Sequence, residues 1–246
     1  MRRPLIAGLF ALLVPGCLVG EIGGVGDDDQ GSGSGSDNGS GSGSNTTTPR
    51  LEASIDKASV STELGRTENL VVTLTSVNGY TGTVTVTPSM MDGTTALTGY
   101  TITPTPASVD MTSGGTATVM LAVKVPTDAA VLAPSLKIDL GTTSVTSAFT
   151  VANQLTIVIP SGTGTGAPHA GLPAINSPIR IRSGAMLIFH NADGIQHVIH
   201  ADGGIPHENT SLGLPNTDYK VVPTDSATWY CHDHEGGGQA RSVLLL

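Results

Sequence analysis

The chain has 246 residues and a formal net charge of −9, with only 13% charged and 3% aromatic residues. That length suits one or two domains, and the wealth of Gly, Thr, Ser and Val points to small all-β units. The charge divides as +2 over residues 1–17, −5 over 18–49 and −3 over each of 50–152 and 153–246. No segment offers the basic patch that nucleic acid requires, so that partner is excluded.

Residues 1–17 open with Met1-Arg2-Arg3 and an apolar run from Leu5 to Val14. This is the pattern of a secretory signal, and the run is far shorter than the ~20 residues a membrane span needs. Its end, Leu13-Val14-Pro15-Gly16-Cys17, resembles the lipobox of bacterial lipoproteins. The resemblance implies acylation at Cys17, a lipid anchor in a membrane, and a place at the outer membrane or cell surface rather than the inner membrane. Residues 18–49 follow as a tether: Gly23 to Thr48 is mostly Gly and Ser with Asp27, Asp28, Asp29 and Asp37, a composition unable to bury a core. Its root-mean-square reach is about 30 Å.

Residues 50–152 carry alternating runs at Leu51–Ile55, Leu70–Thr75, Thr83–Thr87, Thr116–Val123 and Ser147–Val151, punctuated by Asn78-Gly79, Asp92-Gly93, Gly114-Gly115 and Pro126. Short strands at this spacing predict an antiparallel sandwich. The stretch Val77–Val84 resembles bacterial extracellular immunoglobulin-like modules. The segment holds no catalytic constellation, and a spacer or adhesive role is expected of it.

Residues 153–246 read as a second, smaller β-sandwich. Its seven expected strands lie at Leu155–Pro160, Ile179–Arg182, Met186–Phe189, His197–His200, Tyr219–Val222, Ala227–Tyr230 and Ser242–Leu246. The last strand runs to Leu246, which is expected near the core edge.

Cys17 and Cys231 are the two cysteines of the chain. If Cys17 carries lipid, Cys231 has no disulfide partner in an oxidising compartment. An inert buried thiol is one reading; the surrounding Trp229-Tyr230-Cys231-His232-Asp233-His234 suggests a metal loop instead. A Cys-x-x-His pair alone is weak, but His197 lies 34 residues earlier and reaches the same point through the folded sandwich. Three pieces, Phe189–His197, Asp202–Pro206 and Tyr230–His234, together resemble the cupredoxins, the blue-copper family that includes plastocyanin. The likeness covers about residues 153–246 and implies a Greek-key sandwich holding one copper ion. His197, Cys231 and His234 are its implied equatorial ligands.

Copper that cycles between Cu(I) and Cu(II) suits a thiolate and two imidazoles with a weak axial donor. The plastocyanin loop ends in Met five residues after the second His, whereas here that position is Gln239. A Gln amide oxygen is a known axial donor; Glu235 and the Gly194 carbonyl are the alternatives, since Gly236 to Gly238 leave the loop pliable. Zinc could take the same set, but copper exceeds it in the affinity order.

The resemblance implies a monomeric, non-enzymatic carrier of single electrons between redox partner proteins of the cell envelope. Copper delivery or buffering is the second reading, and a surface interaction protein without redox work is the third. A multicopper oxidase would need further His-x-His motifs, and a Cys231–His234 thiol enzyme lacks an oxyanion-hole motif. Of the other histidines, His232 is expected to be an exposed loop residue and His190 to face solvent. His169, His200 and His207 show no spacing that pairs them, so no ligand role is expected. Asn191 is expected either as a hydrogen-bonding support of the ligand turn or as a plain turn former.

Overall fold

The computed structural model describes residues 48–162, 172–174, 177–208, 214–232 and 241–246, with backbone alone for 230–232. The signal, Cys17 and the tether therefore lie outside the described residues. The described chain is all β, with no helix.

Eleven strands occupy the first segment: β1 (Arg50–Ile55), β2 (Ser59–Glu63), β3 (Thr67–Val77), β4 (Gly82–Thr85), β5 (Thr87–Asp92), β6 (Thr95–Ala96), β7 (Thr101–Thr105), β8 (Ser108–Met111), β9 (Thr116–Lys124), β10 (Ser135–Asp139) and β11 (Ser144–Ala152). One sheet runs β1-β3-β9-β7, a second β2-β11-β10-β5-β6, and β4 pairs with β8. Period-two alternation puts Leu70, Val72 and Leu74 of β3 in a shared core with Val119, Leu121 and Val123 of β9 and Leu136 and Ile138 of β10. Two sheets closing on one apolar interior make a β-sandwich of the immunoglobulin-like kind. The Asn78-Gly79 signal is used as a turn: both residues take left-handed backbone, at φ 55° and 81°.

Seven more strands follow: β12 (Gln154–Ile159), β13 (Ile179–Ile181), β14 (Met186–Asn191), β15 (Val198–Gly203), β16 (Asp218–Val221), β17 (Ala227–His232) and β18 (Arg241–Leu245). They form two sheets, β12-β14-β16 and β13-β18-β17-β15. Pairing is mixed: β12 runs parallel to β14 and β13 parallel to β18, while the remaining pairs are antiparallel. The two sheets enclose Ile157, Ile181, Leu187, Phe189, Ile199, Trp229 and Val243. Phe189 meets Trp229 edge-on at 4.8 Å between centroids, a pair that contributes beyond its area. Leu246 is half exposed but tied in, its N–H donating to the Ile181 carbonyl at 3.0 Å.

No described strand of one sandwich joins a sheet of the other, yet they share apolar interior. Leu64, Val125, Ala129 and Val151 of the first pack in the cluster built on Leu155, Ile157 and Ile181. Polar bonds reinforce the contact. Glu63 Oε2 accepts from Gln154 Nε2 at 2.9 Å and Thr156 Oγ1 at 3.0 Å, Arg182 Nη1 donates to the Ala129 and Ala130 carbonyls at 3.1 Å each, and Thr127 Oγ1 donates to the Arg180 carbonyl. Burial pushes the Glu63 carboxyl up, but hydrogen bonds from Gln154, Arg66 and Thr156, with the Arg66 charge, outweigh it and hold the group below the usual glutamate range.

Candidate metal centre

Where β14 ends, the chain turns through residues 192–197 and crosses to the other sheet as β15, and this turn is bonded internally. Asn191, 3% exposed, accepts the Asp193 N–H on Oδ1 at 2.9 Å and donates Nδ2 to the Ile195 carbonyl at 2.8 Å. Asp193, 6% exposed, accepts from the Gly194 N–H at 2.8 Å and the Gly162 N–H at 3.0 Å on Oδ1. Its Oδ2 lies 2.9 Å from His197 Nε2. His197 is 1% exposed. An ionised carboxylate can only accept, so in this contact Nε2 is the donor. A buried carboxylate orienting an imidazole in this way is the arrangement found behind metal-ligating histidines.

The sheet register brings the cysteine strand to the same place. In the β15–β17 ladder Val198 pairs with His232 and Ile199 with Cys231. The start of β15, which follows His197 directly, thus lies against the end of β17. The backbone of Cys231 stands opposite Ile199, two residues along the chain from His197. The side chains of Cys231 and His232, and the whole of His234, Glu235 and Gln239, lie outside the described residues. Among the described residues no group of three or more His, Cys, Asp or Glu side chains is placed to hold a metal; of the candidate residues, His197 with its carboxylate is the described part.

Asn191 hydrogen-bonds within the turn that precedes His197, as a turn former does. Asp193 is the residue that sequence reasoning missed: four positions before His197 in a Gly-containing turn, it reads as a turn former. The Asn191-x-Asp193 spacing ahead of the histidine is the signal that could have found it.

His190 follows the buried Phe189 with a side chain 35% exposed, its Nδ1 2.7 Å from Asp218 Oδ1 across the β14–β16 pair. That hydrogen bond, with help from Lys220, outweighs burial and holds the Asp218 carboxyl below its ordinary range. His169 lies outside the described residues. His200 and His207, which no spacing pairs, stand with ring nitrogens 2.7 Å apart.

No family model matches the chain, and no curated protein matches it. Solved structures do. Domains 4 and 5 of the S-layer protein SbsC match at 20% identity and a TM-score of 0.31, over 42% of this chain and 53% of that one. Domains 5 and 6 of the same protein match at 16% identity and a TM-score of 0.31, over 80% and 99%. A titin immunoglobulin tandem matches at 12% identity and a TM-score of 0.26, over 81% and 99%. The chain spans about half the length of the first of these, and likeness at this level says nothing of activity.

Proposed function

We propose that the chain is an exported, lipid-anchored protein whose C-terminal sandwich binds one copper ion and passes single electrons between redox partners of the cell envelope. The observation that carries this reading is the buried His197–Asp193 pair at the strand end that the register sets against Cys231. A buried ion-capable pair is costly to keep without a use. Copper, when bound, supplies one-electron exchange; His197, Cys231 and His234 would hold it, with Gln239 as the axial donor.

The protein's own contribution is rigidity. Asp193 fixes the His197 tautomer, the Asn191 bonds fix the turn, and the buried Phe189–Trp229 contact packs the sandwich on which the turn is built. Three protein donors and an axial one leave no position for substrate, which favours electron transfer over catalysis. The Gly/Ser/Asp tether would hold the sandwiches clear of the membrane while keeping them there.

Voltammetry of the copper-loaded protein tests the function. A carrier shows one reversible Cu(II)/Cu(I) couple; a delivery protein binds Cu(I), forms no stable Cu(II) state and releases the ion to an acceptor. Gln239→Met raises the potential, because a thioether is softer than an amide oxygen and favours Cu(I). An unchanged or lower potential removes Gln239 from the axial position.

A further inference from the structure

The fold builds a second imidazole cluster away from His197. His200 sits in mid-β15, three residues beyond His197 and therefore about 10 Å further along the strand. After β15 the chain reverses through Gly203-Gly204, where no other residue fits: a Cβ at Gly204 would lie 2.2 Å from the Asp225 backbone nitrogen and oxygen, and one at Gly203 2.6 Å from the Ser226 carbonyl oxygen. Ile205 is then buried at 1% exposure, the Pro206 carbonyl accepts from Tyr219 Oη at 2.5 Å, and the Glu208 N–H donates to the Ile199 carbonyl at 3.3 Å. These anchors on both sides of His207 hold its exposed ring over His200. His207 Nε2 is 2.7 Å from His200 Nδ1, with the rings edge-on at 89° and 4.0 Å between centroids.

From this geometry we infer a solvent-facing two-histidine site for a divalent late first-row metal ion, separate from the His197–Cys231 centre. Two imidazole nitrogens that share one metal at 2.0–2.1 Å and a right angle stand about 3 Å apart. The observed pair needs to open by a few tenths of an ångström and to lose the proton now held between the two nitrogens, by tautomer exchange within a ring or release to water. The loop anchors have already ordered His207, so little conformational freedom is lost on binding. A near-right-angle bite suits tetragonal Cu(II) or Ni(II) with water in the remaining positions, and Cu(II) leads the affinity order.

The test uses the full-length chain carrying Cys231→Ala, which disables the other centre and makes the two readings independent. Calorimetric titration with Ni(II) alone is expected to show one equivalent bound, lost when His200→Gln and His207→Gln are added together. His207→Gln alone, an exposed position with no core to disturb, is expected to weaken that binding strongly. Loading with Cu(II) is expected to give a tetragonal spin-resonance spectrum with nitrogen hyperfine structure that the double variant lacks. No Ni(II) equivalent in the Cys231→Ala protein, or an equivalent that survives both Gln substitutions, overturns the site.

Discussion

The two sandwiches bury similar apolar cores and differ in the polar groups they bury. Among the described residues the first encloses Ser76 and Ser147, two small hydroxyl side chains, whereas the second encloses Asn191, Asp193, His197, Glu208 and Arg241. Ser76 is accounted for by a turn, donating to the Tyr80 carbonyl and accepting from the Gly114 N–H. The second set includes ionisable groups whose desolvation only specific partners offset. In one architecture used twice, chemistry is to be sought where the fold tolerates that cost, and this places it beyond residue 153.

The largest change expected from breaking the contact between the two comes from Leu64→Ala. Leu64 is fully buried in the shared interior, so truncation should cost about 2–5 kcal/mol and split a single thermal transition into two, read by calorimetry. Met120→Ala, at a side chain 56% exposed, is the control. Equal effects would show that the sandwiches are not coupled through Leu64.

The contrast in buried polar groups sharpens next. Asp193→Ala should lower copper affinity by about 10- to 100-fold, the usual effect of losing the partner that orients a ligand, measured by competition with a chelator. Asp110→Ala in the first sandwich, which removes a surface bond from Thr83, should leave affinity unchanged.

Smaller still is the acid response of the contact. The Glu63 carboxyl titrates lower in the folded protein than in the unfolded chain, so its stabilisation is fully present above the usual glutamate value of about 4.3 and is lost as pH falls through the depressed value. Glu63→Gln should cost on the order of 1 kcal/mol near neutral pH and flatten the fall of the thermal midpoint below that range. An unchanged acid limb would assign the sensitivity to other carboxylates, such as Asp218.

In the second half the seven expected runs became β12 to β18, because apolar β-branched and aromatic residues cluster in each between Gly and Pro turns, even where burial does not alternate, as in β14 with Leu187, Ile188 and Phe189 all buried. The first half hid more than half of its strands. Pro88 in β5 and Pro104 in β7 weaken the strand signal there, and each sits on a strand with an uncovered side, since β7 is an edge strand and β6 meets β5 only at Met91 and Asp92. Short runs such as Ser59–Glu63 show too few apolar residues to reveal a period. At the site, the motif around His197 singles it out as a candidate. Nothing in the sequence pairs His200 with His207, since they lie seven positions apart across a loop, and the Gly204 reversal, buried Ile205 and the Tyr219–Pro206 and Glu208–Ile199 bonds bring them together.

The central claim is that His197 and Cys231 share one copper ion. The visible and electron-spin-resonance spectra of the copper-loaded protein, recorded beside Cys231→Ser, test it most directly. Copper held by Cys231 gives intense thiolate-to-copper absorption with narrow copper hyperfine splitting in the parent, and complete loss of both in the variant. A colourless parent under copper-replete conditions, or a spectrum indifferent to Cys231→Ser, would contradict it.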